Sequence, residues 1–235
     1  MGTTDRRTAN ETLLFGHGDE RTINTLGSFE RCRSLGADGV ELDVRRTADD
    51  RLVVVHDHSL ADGRAIADVR RADLPTHIPD LAAALDECTG MRVNIEVKNF
   101  PRDPSFDPTQ RVTELVLETL ADRGHSDDVL ISCFDFGCID LVREREPAIG
   151  TAMLYLSRRP VRDLLDAVEQ HEHRIVHPYD TMADETFMDE ARSRGLEVNV
   201  WLDADLERLR TLVALGVDGL ITSDVVGGRA AIDGR

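Results

Sequence analysis

Several things are scarce in this 235-residue chain. Aromatic residues make up 4%, as one Trp, two Tyr and seven Phe. Lysine is nearly missing: Lys98 is the only one, so the other 27 of the 28 basic residues are arginine. No apolar run approaches the roughly 20 residues that span a bilayer, and the opening MGTTDRRTAN lacks the apolar stretch of a secretory signal. The expectation is a cytoplasmic protein without membrane insertion. Basic charge is also short, with 28 Lys plus Arg against 45 Asp plus Glu, a net charge of −17. A field of that sign disfavours nucleic acid and anionic lipid and leaves a small molecule as the expected partner. Nothing here bears on oligomeric state. The four cysteines (Cys32, Cys88, Cys133, Cys138) show no CxxC or CxxH spacing, which speaks against zinc and for buried free thiols in a reducing compartment. The first strand is followed by GHGDER rather than GxGxxG, which argues against an open dinucleotide-binding sheet.

What is present is alternation. With 41% hydrophobic and 31% charged residues the composition is that of a globular protein, read as one domain over 1–235. Short apolar runs occur at Thr12–His17, Gly39–Val44, Leu52–His56, Arg92–Lys98, Val129–Phe134, Gly150–Tyr155, Arg174–Pro178, Glu197–Leu202 and Gly219–Ser223. Helical periodicity fills most of the intervals: Thr25–Leu35, Asp80–Cys88, Thr109–Arg123, Phe136–Glu146, Val161–Glu169, Asp184–Arg194 and Asp205–Leu215. Strand–helix alternation predicts a parallel sheet covered by helices. Nine strands are one too many for an eight-stranded barrel. Only RRTADDR separates the second from the third, too short for a helical crossover, so these two form a hairpin turning near Asp49. The rest make a (β/α)8 TIM barrel with a hairpin and loop insertion after strand 2, the irregular stretch Arg64–Pro79 covering a barrel end.

Barrel strands point alternate residues inward and carry chemistry at their C-terminal ends. In GVELDV, Glu41 and Asp43 share a face; in RVNIEVK, Asn94, Glu96 and Lys98 do. Three carboxylates (Glu41, Asp43, Glu96) facing one lumen repel one another unless paired. A hard divalent cation, Mg²⁺ or Ca²⁺ with Mn²⁺ as a further choice, resolves this through oxygen ligation; salt bridges to rim arginines are the structural alternative. With the turn near Asp49, residues whose numbers sum to about 98 face each other, which sets His56 opposite Leu42 and near Glu41 and Asp43. His17 ends the first strand, so two imidazoles flank the acids as an acid–base pair. The alternative for His56 is a rim histidine bonded to Asp57. A dication, two histidines and one lysine suit an anionic phosphoryl substrate, with Lys98 on a phosphate oxygen or, alternatively, paired to Glu96.

These residues resemble the glycerophosphodiester phosphodiesterase family. The match runs through His17, Asn24-Thr25, Phe29, GADGVELDVRRTADDRLVVVHD (Gly36–Asp57), IPDLAAAL, NIEVK, ISCF, VNVW and GVDGLITSD, roughly residues 12–225. The resemblance implies a barrel hydrolase of phosphoric diesters in lipid metabolism, with metal on Glu41, Asp43 and Glu96, and His17 and His56 as acid and base. It implies that a glycerol hydroxyl attacks its own phosphodiester, that an alcohol leaves, and that water opens the cyclic phosphate to glycerol 3-phosphate. The chain departs from the pattern at Gly18, where the family has Arg, and at Ile23, where it has Glu. Arg21 is the candidate replacement for the lost phosphate contact, with Arg45 as a weaker one. Trp201, on the lumen face, either packs against glycerol or alcohol or simply fills the barrel. Two other readings stay open: a lysophospholipase D-like enzyme, or a barrel that binds metal and organophosphate without turnover. His177 is placed on the lumen face; His77, His125, His171 and His173 are placed at the surface.

Overall fold

The computed structural model describes residues 12–18, 22–124, 128–156, 160–203 and 205–234. Its strands are β1 (Leu13–Gly16), β2 (Gly39–Arg46), β3 (Leu52–Val54), β4 (Arg92–Val97), β5 (Val129–Cys133), β6 (Gly150–Tyr155), β7 (Ile175–Pro178), β8 (Glu197–Leu202) and β9 (Gly219–Thr222). The order β1-β9-β8-β7-β6-β5-β4-β2-β3, with a further β1–β2 pairing, closes eight parallel strands into a barrel and leaves β3 outside it. β3 runs antiparallel to β2 with Val44 opposite Val54 and Arg46 opposite Leu52, the register expected for a turn near Asp49.

Helices alternate with the strands: α1 (Leu26–Ser34), α2 (Leu81–Glu87), α3 (Arg111–Arg123), α4 (Phe136–Arg145), α5 (Val161–Gln170), α6 (Glu185–Ser193), α7 (Leu206–Leu215) and α8 (Val225–Ile232). Local chemistry starts them. Thr25 accepts from the Ser28 amide, Asp184 from Phe187, Asp205 from Arg208 and Asp224 from Gly227, each satisfying an otherwise unpaired first-turn N–H. The helix α8 was not legible in the periodicity, because VVGGRAAI carries two glycines and little polar contrast. Packing explains it. A Cβ at Gly228 would lie 2.6 Å from Leu14, so this helix sits closer to β1 than a larger residue permits.

The core lies between sheet and helices. Val40, Leu42 and Val44 of β2 and Val93, Ile95 and Val97 of β4 turn outward into it with Leu81, Ala84 and Val116. Alternate residues are thereby committed to the lumen. The stretch after the hairpin makes two 3₁₀ turns, Ile66–Asp68 and Arg71–Asp73, and forms a second small core of Val53, Ile66, Val69, Leu74 and Ile78. It braces the hairpin and supplies no lumen-lining residue. The barrel seam is tight at Gly39, where a Cβ would meet Arg92 O at 2.6 Å and Phe15 Cδ1 at 2.8 Å. Among the described residues no helix is long and apolar enough to cross a membrane.

Candidate active site

A cavity of about 660 Å³ opens at the C-terminal end of the strands. Its floor holds the residues singled out from strand alternation: His17, Glu41, Asp43, Glu96 and Lys98, with His56 beside them. The parallel register puts Asp43 next to Glu96 and Glu41 next to Asn94. His17, one residue past β1, sets Nε2 3.0 Å from Glu41 Oε2 and 3.5 Å from Asp43 Oδ2. Among the described residues these three form the one cluster whose ligand atoms converge closely enough to hold a metal ion.

Asp43 is fully buried and held from three sides. Asn24 Nδ2 donates to its Oδ2 at 2.6 Å, while the Asp43 amide donates to Asn24 Oδ1 at 3.0 Å. Lys98 Nζ stands 2.9 Å from Asp43 Oδ1 and 2.5 Å from Glu96 Oε1. Both distances are those of close ion pairs, and Lys98 is a hydrogen-bond partner of Glu96 as well. Burial opposes charge on Asp43, but Lys98, His17 and His56 outweigh it and hold the carboxyl well below the usual carboxylate range. Glu96 goes the other way. Burial dominates, the charges of Asp43 and Glu41 add to it, Lys98 opposes, and its pKa is pushed up to about 7. For His17 burial pulls the imidazolium down, yet Glu41 and Asp43 reverse this and raise it well above 6.5. Lys98 is likewise desolvated but is held charged by Glu96, Asp43 and Glu41.

Glu41 Oε1 is buried without a partner. An orphaned carboxylate oxygen beside a second carboxylate and an imidazole is a donor set that suits a hard divalent cation. Lys98 takes the structural alternative raised for it, a pairing with Glu96, and adds Asp43. His56 combines its two readings: it lines the cavity, half exposed, while its Nδ1 lies 3.0 Å from Asp57 Oδ1. Trp201 lines the cavity wall, 6.1 Å from Phe134 in an edge-to-face pair, its Nε1 donating to His177 O. Arg21 lies outside the described residues.

Two expectations, for Arg45 and His173, need correction. Arg45 is not free to meet a substrate: it is buried, donates through Nε to His56 O at 2.9 Å, and pairs through Nη2 with Asp103 at 2.8 Å. His173 is not a surface group: its ring is enclosed between Thr151 and Asp140 and pairs with His171 across that aspartate. Burial lowers its pKa, Asp140 opposing. His177 faces inward as expected but touches Asn199, at 3.0 Å, rather than an acid of the cluster, and burial depresses it to about 3. The polar residues whose place at the site was missed are Asn24, named only in the family match and turned under β2 by a φ of +62°, and Arg102 and Asp203, in loops with no periodicity to mark them.

A family model described as the glycerophosphoryl diester phosphodiesterase family matches residues 16–226. The chain belongs to that family. It is 25% identical over 242 residues to a glycerophosphodiester phosphodiesterase of Caldanaerobacter subterraneus, covering 91% of this chain and 95% of that one. Among solved structures it resembles a phosphodiesterase of Oleispira antarctica in complex with sn-glycerol-3-phosphate, with a TM-score of 0.84, 20% identity, and 95% and 97% of the two chains covered. A glycerophosphodiester phosphodiesterase of Parabacteroides distasonis aligns with a TM-score of 0.82, 20% identity, and 96% and 98% covered. Within this phosphodiesterase family the departure at Gly18 has a backbone reason. Its φ is +82°, and a Cβ there would meet Ser28 at 3.2 Å and Ile23 Cα at 3.3 Å. The chain turns left-handed directly after His17, so an arginine would be strained there.

Proposed function

We propose that the chain hydrolyses glycerophosphodiesters to glycerol 3-phosphate and an alcohol, with a bound divalent cation and with His17 and His56 exchanging protons. The observation that carries this is the convergence of His17, Glu41 and Asp43 on the floor of a cavity whose rim holds His56. Glu41 and Asp43, with Glu96 on the neighbouring strand, would hold Mg²⁺, Ca²⁺ or Mn²⁺. When bound, the cation supplies Lewis acidity toward a phosphoryl oxygen and a template for the substrate. The two imidazoles do the proton work. One takes the proton of the glycerol hydroxyl as its oxygen bonds to phosphorus; the other gives a proton to the departing alcohol oxygen as the P–O bond breaks. Water then adds to the cyclic phosphate with the two roles exchanged, and one ring P–O bond opens. Lys98 keeps Asp43 ionised and Asn24 keeps it oriented throughout.

A second reading, a lysophospholipid substrate with the same chemistry, is favoured by one observation. Four of the ten aromatic residues, Phe100, Phe134, Tyr155 and Trp201, line the cavity, and Leu156 at its edge is 57% exposed. An apolar wall of this kind suits an apolar alcohol.

Purified protein with each cation is offered glycerophosphocholine, glycerophosphoethanolamine and lysophosphatidylcholine, and products are followed by phosphorus NMR. His17→Ala and His56→Ala should each lower kcat by at least a hundredfold with the fold intact. A near-wild-type rate in either variant refutes the acid–base assignment, and no turnover of any substrate with any cation refutes the hydrolase.

A further inference from the structure

The cavity has an electrostatic problem. Its lining carries four carboxylates, Glu41, Asp43, Glu96 and Asp203, against two permanent cations, Lys98 and Arg102. Lys98 is enclosed and committed to Asp43 and Glu96. A phosphodiester is itself an anion, so even with the floor neutralised it needs a cation that is not already engaged. Among the described residues, Arg102 is the one permanent cation that lines the cavity and has no carboxylate partner within ion-pair distance.

Its loop is built to present it. Asn99, two residues beyond β4 and buried, exchanges hydrogen bonds with Asp107: its Nδ2 donates to Asp107 O at 2.9 Å and its Oδ1 accepts from the Asp107 amide at 2.8 Å. On the other side of Arg102, buried Asp103 accepts from Arg45 at 2.8 Å and from the Ser105 amide at 2.8 Å. The Asp103 amide closes a turn onto Phe100 O at 2.8 Å. The backbone around position 102 is therefore fixed on both sides while the side chain stands exposed at the cavity. Arg45 also donates to the carbonyl of His56, so one guanidinium ties the loop of Arg102 to the loop of His56. An irregular loop that buries its flanking polar residues and leaves one arginine free at a cavity is the arrangement expected of an anion contact.

We propose that Arg102 is the substrate-contacting cation of this enzyme, its guanidinium donating to the non-bridging phosphoryl oxygens, with Arg45 and Asp103 as positioning residues that hold its loop against that of His56. The inference rests on the phosphodiester reading above and assigns its anion contact.

The test is calorimetric binding of glycerol 3-phosphate in the presence of each of Mg²⁺, Ca²⁺ and Mn²⁺, alongside steady-state hydrolysis of glycerophosphocholine, glycerophosphoethanolamine and lysophosphatidylcholine with the same cations, for wild type, Arg102→Ala and Arg102→Lys. Arg102 is exposed, so the variants should fold, which a thermal melt verifies. Arg102→Ala should weaken glycerol 3-phosphate binding and raise KM at least tenfold each, with a smaller salt dependence. Arg102→Lys should recover part of the loss, which a merely structural role would not predict. Wild type that binds and turns over, with Arg102→Ala within twofold on both readouts, overturns this inference and leaves the hydrolase standing. Wild type that neither binds nor turns over overturns both. Binding without turnover, lost in Arg102→Ala, supports the anion contact while refuting the hydrolase.

Discussion

The sharpest perturbation is at Asn24, a buried residue that touches no substrate. Its amide gives Asp43 one hydrogen bond to a carboxylate oxygen at 2.6 Å and accepts one from the Asp43 amide at 3.0 Å, and its backbone is left-handed. Asn24→Gly keeps the backbone and removes both bonds. Losing a bond to a charged group costs about 1.5–3 kcal/mol, and a buried N–H left unpaired about 1–3 kcal/mol. The two losses overlap through one side chain, so about 2–4 kcal/mol is expected. Asn24→Ala adds about 1 kcal/mol, because a Cβ disfavours positive φ. Urea unfolding read at the midpoint, with the slope unchanged, measures both. Asp43 also becomes free to rotate, so Mn²⁺ affinity, read by calorimetry, should fall about tenfold or more, as when a metal ligand loses its supporting partner. The reasoning is refuted if Asn24→Gly unfolds within about 0.5 kcal/mol of wild type, well below the cost of the bonds removed.

Other outcomes follow from the same structure. Lys98→Met leaves Asp43 and Glu96 buried without their shared cation and should cost about 3–5 kcal/mol in chelator, part of it returned by Ca²⁺; equal stability with and without Ca²⁺ would contradict the placement of the cation. His177 is depressed to about 3 by burial, so between pH 6.5 and that value the unfolded chain binds a proton that the folded chain refuses. Stability therefore falls on acidification, by about 1.4 kcal/mol per pH unit from this group. Comparing urea unfolding at pH 6.5 and 5 should show about 1.6 kcal/mol less acid loss in His177→Gln than in wild type, because the unfolded imidazole is already half protonated at pH 6.5. Gly39→Ala places a methyl against Arg92 O and Phe15 at the seam, where backbone cannot yield, and should lower stability by about 1–3 kcal/mol on thermal unfolding.

The barrel and its inward faces were legible from local pattern. Strand periodicity of two forces Glu41 and Asp43 to one side and Val40, Leu42 and Val44 to the other, whatever their neighbours do. The seven-residue link RRTADDR permits only a hairpin, and its register followed from counting. Distances between strands were not in the sequence. Only the closed sheet set Asp43 beside Glu96, so that Lys98, open in the sequence between a phosphate contact and a pairing with Glu96, is held between two acids. Arg45 and Arg102 show the same limit: both are arginines near a proposed site, and tertiary packing alone decides that one is sealed between His56 and Asp103 while the other faces the cavity. Side-chain alternation is a local property of the backbone. Which charges neutralise each other depends on long-range closure and desolvation, and no local pattern encodes them.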